Sequence, residues 1–397
     1  MNRITEKNSA RTLANVAVFA IPPLLVLLYE YVRLGRIGNM TADGQLYLSI
    51  ADNFLKTGHF IQTARWFKGL VVPPVVPAVL TLLRFLHFSE EMIIAFQALL
   101  FGLSCLLLLD TEYRLFGRCG LAPIVYTLAY LRCRLLLGNI LVEHYYLFLL
   151  CLLIWILMKE LPLSRKTVWM NLVGVMLFLS RPALIPVYLA ILIWTIHYSC
   201  KEKHIIIGIF ALFLPILCLS LNLAVNYRET GEIIPLESYS GTDFYVTACQ
   251  NAPVTQNEGI LFFDETRDRI FNDLEMTMSE KSAALNQLAR SFIRHHPCEY
   301  LSKTLQRCYE LFLKAYWFMT VIPIAGGLLL CQMKGMKTKR RLVHKVLLTL
   351  NLFLALMTSF GIPEVRYTAV IWPLAAVHTA AAGWFVFGKI RDLNTVT

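Results

Sequence analysis

Long apolar runs separated by short polar segments make up most of the chain. Ten of them approach the ~20 residues with which a helix crosses a bilayer, and they lie at about 13–32, 91–110, 119–138, 144–158, 167–181, 182–198, 204–225, 309–331, 343–361 and 366–388. This pattern predicts an all-α polytopic membrane protein with about ten transmembrane helices. The run 70–86 is short and carries three prolines near its start. We therefore predict that it lies against the membrane or dips into it, rather than crossing it.

The spacing of the runs divides the chain into three parts. Residues 1–225 form an N-terminal transmembrane module, the proposed catalytic part, in which 33–90 are a first outer loop with juxtamembrane helices. Residues 226–308 are the only sizeable polar segment, and we predict that they form a small cap on the outer face. Residues 309–397 hold the C-terminal transmembrane helices. The first run follows a basic start without a small-residue cleavage site, which is typical of an uncleaved signal anchor.

Composition and charge agree with this organisation. The chain is 57% hydrophobic and only 16% charged, whereas soluble domains carry about a quarter charged residues. With ten spans and a cytoplasmic N-terminus, the basic clusters between spans fall on the cytoplasmic side, as the positive-inside rule expects. They are Arg114/Arg118, Lys159/Arg165/Lys166, Lys201/Lys203, Lys334/Lys337/Lys339/Arg340/Arg341 and the tail Lys389/Arg391. Arg33 and Arg36, on the outer side after the first span, are mild exceptions. The net charge of +11 is therefore explained by membrane topology and needs no nucleic acid partner. We expect the protein in the plasma (inner) membrane, with both termini in the cytoplasm.

The same topology places the unusual polar residues near the outer side of the membrane. Asp43 follows the first span, Glu143 begins the fourth, and Arg181 precedes Pro182 in a long apolar region, while Glu364 and Arg366 precede the last span. Ionisable groups at such depths are costly unless they are paired or face a water-filled cavity. They are therefore candidate functional residues as a group.

Each candidate in the first outer loop also has a structural interpretation. Asp43 lies in Thr41-Ala-Asp-Gly, which is a good helix start, so it is a candidate helix cap as well as a candidate catalyst. Asp52, nine residues later, falls on another helix face and is predicted to be solvated. Lys68 and Arg65 are candidates for contact with lipid headgroups.

The candidates near the other spans have structural alternatives too. Glu143 is a candidate partner for Arg132 or Arg134, and for those two arginines pairing is the preferred interpretation. His144 is predicted to be a structural hydrogen-bonding residue. Glu364 and Arg366 could simply mark a helix entry beside Pro363.

Signatures of several soluble enzyme classes are missing. The sequence has no P-loop, no GxGxxG after a strand, no GxSxG elbow and no HExxH motif, which disfavours a nucleotide-dependent enzyme. Its ten cysteines form no CxxC pair. A Cys249–Cys298 disulfide is left open, on condition that the polar segment faces an oxidising compartment.

The order of several short motifs resembles a family. The motifs are Asp43-Gly-Gln-Leu-Tyr-Leu-Ser-Ile-Ala, Phe54-Leu-Lys-Thr-Gly-His-Phe, Pro73-Pro74-Val-Val-Pro77, Leu141-Val-Glu143-His-Tyr-Tyr-Leu-Phe-Leu, Leu179-Ser-Arg181-Pro182, Asn226-Tyr-Arg-Glu-Thr-Gly231, Pro297-x-x-Tyr300 and Glu364-Val-Arg366-Tyr367 followed by Trp372-Pro373-Leu374. In this order the chain resembles the bacterial GT-C type membrane glycosyltransferases that use polyprenyl-phosphate sugars, relatives of the protein O-mannosyltransferases and of the aminoarabinose transferases that modify lipid A. It departs from many relatives in having Gly44 rather than a second acid after Asp43.

The resemblance implies an inverting, single-displacement transfer of a sugar from a polyprenyl-phosphate donor to an acceptor hydroxyl of a protein, lipid or glycan, on the outer face of the bilayer. Asp43 would be the general base, and Glu143 would orient the acceptor. The donor phosphate would be bound by Arg181, Arg366, Tyr367 and Lys68. A divalent cation, Mg²⁺ or Mn²⁺, held by Asp43 and Glu143 is left open because two carboxylates lack a third ligand. The alternatives are a transporter or flippase of a lipid-linked or amphipathic substrate, and a non-catalytic subunit of a membrane complex.

Overall fold

A computed structural model describes residues 2–35, 38, 41–61, 68–117, 120–133, 136, 138–202, 204–249, 265–310, 322–325, 328, 348 and 365–394. For residues 2–11, 34, 365–367 and 385–394, the description covers the backbone alone. Over these residues the chain is helical and has no strand. The all-α fold class predicted from the sequence is therefore confirmed.

Most helices follow the predicted apolar runs where both are described, but the helix Leu121–Arg132 ends six residues before the end of the predicted span 119–138. The helices are α1 (Asn2–Leu34), α2 (Ala42–Thr57), α3 (Val75–Phe85), α4 (Glu90–Phe116), α5 (Leu121–Arg132), α6 (Glu143–Met158), α7 (Leu163–Ser180), α8 (Ile185–Lys201), α9 (Ile205–Thr230), α10 (Ser240–Cys249), α11 (Glu265–Phe271), α12 (Met278–His295), α13 (Pro297–Cys308) and α14 (Trp372–Asn394). Two 3₁₀ segments, Pro182–Leu184 and Val365–Ile371, precede α8 and α14. Most of the predicted spans at 309–331 and 343–361 falls outside the described residues.

Four of the described helices are long and apolar enough to cross a membrane: Thr12–Arg33, Glu90–Phe116, Pro182–Lys201 and Ile205–Thr230. In the first and last of these, only 11% of the most apolar window is buried inside the protein, so their apolar faces need a lipid covering. The chain is an all-α membrane protein. With 11 residues, α3 is only about 16 Å long, which is too short for a ~30 Å hydrocarbon core and agrees with the prediction that 70–86 is not a span.

The long helices form a bundle in which sequence neighbours pack side by side. α4 packs against α1, α5 and α6, and the series continues through α7 to α8 and α9, while α14 lies on α5. The helices alternate in direction. We call the end of the bundle where Glu30, Glu143, Arg181 and Thr230 lie the cap end, and the end where Phe116, Met158 and Lys201 lie the far end.

At the far end, hydrogen bonds of a buried carboxylate join three helices. Glu112 of α4 accepts hydrogen bonds from the backbone N–H groups of Gly120, Leu121 and Ala122, and from Trp384 Nε1 of α14. The first N–H groups of a helix have no partner within it, so this carboxylate completes the start of α5. It also fixes α14 against α4.

At the cap end, α2 and α3 form a pair that packs on the ends of α4 and α6. Ile50, Leu80, Ile93 and Ile140 are at most 1% exposed, and each such side chain stabilises the fold by about 2 kcal/mol. Asp52 accepts two hydrogen bonds from Arg84, at 2.9 and 3.2 Å. The prediction that Asp52 is simply solvated is therefore wrong, because this partly exposed carboxylate bridges α2 to α3.

Over its described residues, the polar segment 226–308 contains the end of α9 and the helices α10 to α13, which we call the cap. α10 and α12 cross so closely that a Cβ on Gly241 would lie 1.9 Å from the carbonyl oxygen of Ser282. The irregular segment 68–74 before α3 joins the cap to the bundle, because Val71 exchanges hydrogen bonds with Ser238 and Lys68 O accepts from Met278 N. Cys249 and Cys298 are not bonded to each other, so the disulfide left open by the sequence is not formed in this structure.

Candidate functional site

A buried ion pair marks the centre of the cap end. Arg181 Nη1 donates a hydrogen bond to Glu143 Oε1 at 3.0 Å, and the Glu143 side chain is 1% exposed while that of Arg181 is 20% exposed. The Arg181 guanidinium also lies 5.5 Å from the centre of the Tyr146 ring, a distance at which a cation is attracted to the ring face. The sequence suggested Arg132 or Arg134 as the partner of Glu143, and the structure adds Arg181 as a partner that the sequence did not suggest.

Local sequence explains how Arg181 reaches this position. A proline disfavours the α conformation at the preceding residue, and Pro182 follows directly. α7 accordingly ends at Ser180, and Arg181 adopts an extended conformation with φ −151° and ψ 112°. The side chain is thereby directed out of the helical register toward the first residue of α6, which is Glu143.

Glu143 has one oxygen that the ion pair does not use. Its Oε2 atom is buried and has no hydrogen-bond partner among the described residues. Leaving a buried acceptor without a donor is costly. A hydroxyl of a bound substrate would supply the missing donor.

A second carboxylate, Glu237, approaches Arg181 from the cap. Burial raises the pKa of Glu237, and this rise is opposed by the positive charge of Arg181 and by a hydrogen bond with Tyr239. The side chains of Asn222 and Asn226 donate to the backbone oxygens of Pro235 and Ile234. These two contacts hold the loop that carries Glu237 against α9. The sequence analysis missed Glu237, because nothing distinguishes it from the other acids of the polar segment.

Asp43 is not the cap of α2. The N-cap is Thr41, whose Oγ1 accepts from Gly44 N, and Asp43 lies in the first helical turn, where a negative charge is favoured by the helix dipole. The capping interpretation of Asp43 is therefore wrong. The carboxylate is partly exposed.

The start of α2 is joined to the segment that precedes α6. Thr41 N donates to Asn139 Oδ1 at 3.0 Å, so the two segments that lead to Asp43 and Glu143 are in direct contact. The backbone oxygen of Asn139 is hydrogen-bonded to His144 Nε2, and His144 Nδ1 is 2.6 Å from the Tyr130 hydroxyl. His144 is 5% exposed, as expected for the structural residue that the sequence predicted.

Glu30 of α1 lies beside the same two segments. It is 1% exposed, its Oε1 accepts from Gly38 N at 3.2 Å, and it packs against Gly138. The sequence analysis overlooked Glu30, although a signal was available. It is the only charged residue in the apolar run 13–32, and an ionisable residue inside such a run points to a functional site by default.

The remaining predicted site residues are placed as follows. Lys68 Nζ donates to the backbone oxygen of Glu275 at 3.3 Å. Arg366 and Tyr367 belong to the 3₁₀ segment that packs on α6, and their side chains are outside the description. Glu364, Arg65 and Arg134 lie outside the described residues.

The donor set does not fit a resident divalent cation. A cation would have to share Glu143 with the positive Arg181, 3.0 Å away. Within the described part of the chain, no group of three His, Cys, Asp or Glu side chains is arranged to hold a metal ion.

The chain matches no protein-family model and no curated protein. The case for a function therefore rests on the geometry of the cap end and on the motif resemblance.

Proposed function

We propose that the protein is an integral-membrane glycosyltransferase, which moves a sugar from a polyprenyl-phosphate donor to an acceptor hydroxyl at the outer surface of the membrane. The observation that carries the proposal is the hydrogen bond from Thr41 N to Asn139 Oδ1. Asp43 follows Thr41 by two residues, and Glu143 follows Asn139 by four. This bond joins the segment that leads to the partly exposed Asp43 to the segment that leads to the Glu143–Arg181 ion pair. Both segments lie at one end of the membrane bundle, where a lipid-linked substrate would present its head.

The reaction assigns one role to each group. Asp43 takes the proton of the acceptor hydroxyl while that oxygen attacks the anomeric carbon, and a general base must reach within about 3 Å of the proton it removes. The bond from the anomeric carbon to the phosphate oxygen breaks, and its electron pair leaves with the polyprenyl phosphate. Because attack and departure occur on opposite faces, the anomeric configuration inverts.

The leaving phosphate gains negative charge as the bond breaks. Fixed cations in a site that excludes water stabilise such charge strongly, and Arg181 is held in place by Glu143 and Tyr146. Arg366 and Tyr367 are proposed as additional donors, since their segment packs on α6. Lys68 would contribute from the first outer loop. Glu143 Oε2, which lacks a donor among the described residues, would accept a hydroxyl of the acceptor.

The proposed topology has ten spans in the plasma membrane, both termini in the cytoplasm and the cap outside. It is supported by the alternating direction of the described helices and by the basic residues that lie at the far end. Arg114, Lys159, Arg165, Lys166 and Lys201 are all found there, at or near helix termini. Basic residues next to spans are enriched on the cytoplasmic side.

The direct test is transfer of labelled sugar by the purified chain in lipid nanodiscs. It would be offered a panel of polyprenyl-phosphate sugars and acceptors extracted from the cell envelope. Asp43→Asn should slow transfer by about 100-fold or more. Asp52→Asn is the matched control, since it changes an acid on the same helix whose partner is Arg84, and it should retain the wild-type rate.

Two outcomes would overturn the proposal. If Asp43→Asn, correctly folded, transferred sugar at the wild-type rate, the assigned base would be wrong. If the wild-type chain carried the donor across the bilayer without transferring its sugar, the protein would be a flippase. Mass analysis of envelope glycoconjugates with and without the protein would identify the product, since loss of one sugar residue reports donor and acceptor together.

A further inference from the structure

Two loops of the cap end meet at one buried carboxylate. Gly38 lies between α1 and α2, and Gly138 lies between α5 and α6. Glu30 touches both, although it belongs to neither loop. It accepts a hydrogen bond from Gly38 N, and a Cβ added to Gly138 would lie 1.2 Å from Glu30 Oε1.

The absence of a side chain at Gly138 is what admits the carboxylate. Gly138 has a φ of +63°, a conformation that other residues rarely adopt. The Glu30 carboxyl group occupies the space that a side chain at 138 would fill. The backbone conformation and the close contact thus both require glycine at this position.

The two loops lead to the two carboxylates of the proposed reaction. Gly38 precedes Asp43 by five residues, and Gly138 precedes Glu143 by five. The Thr41–Asn139 hydrogen bond joins the same loops a few residues further on. Glu30 is therefore the point on α1, a membrane-spanning helix, to which both loops are attached.

We propose that Glu30 is a positioning residue, which fixes the loops before Asp43 and Glu143 in one arrangement and thereby sets the relative positions of the two carboxylates. The effect of this positioning on catalysis rests on the proposed glycosyltransferase function, whereas the attachment of the two loops to Glu30 does not. Small displacements of reacting groups are costly, because a misplacement of about 1 Å can cost ~100-fold in rate. Glu30 itself touches neither donor nor acceptor in this proposal.

The first measurement is hydrogen–deuterium exchange of the whole chain in nanodiscs, which needs no substrate. Glu30→Ala should speed exchange in residues 38–45 and 138–145 by about tenfold, as expected for loss of a hydrogen bond to a charged group, while the α10–α12 cap stays unchanged. Glu30→Gln keeps an oxygen acceptor and the same shape, so it should restore most of the protection. Unchanged exchange of either loop in Glu30→Ala would overturn the proposal.

A second pair of variants reaches the same contact without changing Glu30. Gly138→Ala places a Cβ in the space of the carboxylate, whereas Gly117→Ala introduces the same backbone strain, with φ +67° and nothing within 4 Å of the new Cβ. Gly138→Ala should speed hydrogen–deuterium exchange in residues 38–45 and 138–145, and Gly117→Ala should change exchange in neither segment. If the two variants had equal effects on residues 38–45, the contact with Glu30 would carry no positioning role.

Transfer kinetics then separate positioning from substrate binding. Glu30→Ala should lower kcat at least tenfold and leave the KM for the donor within about twofold, since the donor contacts remain. A raised KM with unchanged kcat would overturn the positioning role in favour of donor binding. If the wild-type chain transferred no sugar at all, the proposed function would fall, while the exchange data would still decide whether Glu30 holds the loops.

Discussion

Arg181 donates a hydrogen bond to Glu143 Oε1 across 3.0 Å, joining the end of α7 to the start of α6. Glu143 is almost completely buried, so its charge depends on this partner. Removing one member of a buried pair leaves an uncompensated charge, which is usually worse than removing both. The pair therefore has a stability signature that is independent of any catalytic role.

Arg181→Ala should destabilise the protein by about 3 kcal/mol. Adding Glu143→Gln to that variant should recover most of the loss, because the buried charge is then absent. The measurement is the midpoint of thermal unfolding in detergent. Arg290→Ala is the control, since Arg290 is an exposed arginine, and it should change the midpoint little. A double variant that is less stable than Arg181→Ala would contradict the assignment.

The sequence predicted the helices well and their polar contacts poorly. The run 91–110 became α4 with a Ser89 cap at one end and Gly117 at the other, since length, hydrophobicity and caps are local properties. The partners that the sequence suggests for Glu143, Arg132 and Arg134, lie only 11 and nine residues before it. Its partner Arg181 is 38 residues away and is brought close only by the packing of α6 on α7.

Other parts of the site were hidden for a similar reason. Asp43 and Glu143 were grouped from charge topology, but the contact that joins their segments involves a backbone N–H and the Asn139 side chain, neither of which has a sequence signature. Glu30 was visible as a lone acid in an apolar run. Its role was not, since that depends on Gly138, which lies 108 residues later and on another loop.

Asn139→Ala should reduce sugar transfer by about tenfold. The substitution removes the acceptor of Thr41 N, which joins the two loops, while the backbone oxygen that contacts His144 remains. Asn139→Asp keeps an acceptor oxygen and should be close to wild type. The assay is transfer rate per folded protein. Asn171→Ala is the control, because it breaks a side-chain hydrogen bond between α7 and α8; it should lower stability without this loss of transfer rate. Equal losses of transfer rate in Asn139→Ala and Asn171→Ala would contradict the role assigned to Asn139.

Glu112→Ala should destabilise the fold without changing the catalytic site. It withdraws the acceptor of three backbone N–H groups at the start of α5 and of Trp384, and unsatisfied buried donors cost about 1–3 kcal/mol each. We expect a large drop in the unfolding midpoint and an unchanged KM in the protein that remains folded. Glu91→Gln alters an exposed acid on the same helix, and it should leave both the unfolding midpoint and the KM unchanged. A wild-type unfolding midpoint for Glu112→Ala would contradict the contacts of Glu112 with the start of α5 and with Trp384.

Glu237 should make stability fall as pH rises. Burial raises the pKa of Glu237 above its ordinary value of 4.5 in the folded state, so the folded protein binds a proton more tightly than the unfolded chain does. The associated stability is present below pH 4.5 and is lost as pH rises through the folded pKa. Unfolding midpoints between pH 4 and pH 7 should show this loss in wild type and its absence in Glu237→Gln.

Glu299 provides a control of opposite sign. Its hydrogen bond with Lys303 lowers the pKa of Glu299, so its contribution is present above pH 4.5 and is lost as pH falls. Glu299→Gln should therefore leave the decline between pH 4 and pH 7 in place. If Glu237→Gln and wild type had parallel profiles, the burial of Glu237 against Arg181 would be incorrect.

Two native cysteines test which side of the membrane each end of the bundle faces. Cys298 on α13 and Cys200 near the end of α8 are both free and exposed, and they lie at the cap end and the far end. A membrane-impermeant maleimide applied to intact cells should label Cys298 and leave Cys200 unlabelled until the membrane is opened, with mass spectrometry of each cysteine peptide as the readout. Cys298→Ser and Cys200→Ser identify the two signals. Labelling of Cys200 alone in intact cells would invert the topology and place Asp43, Glu143 and Arg181 in the cytoplasm, where the proposed outer-surface transfer could not occur.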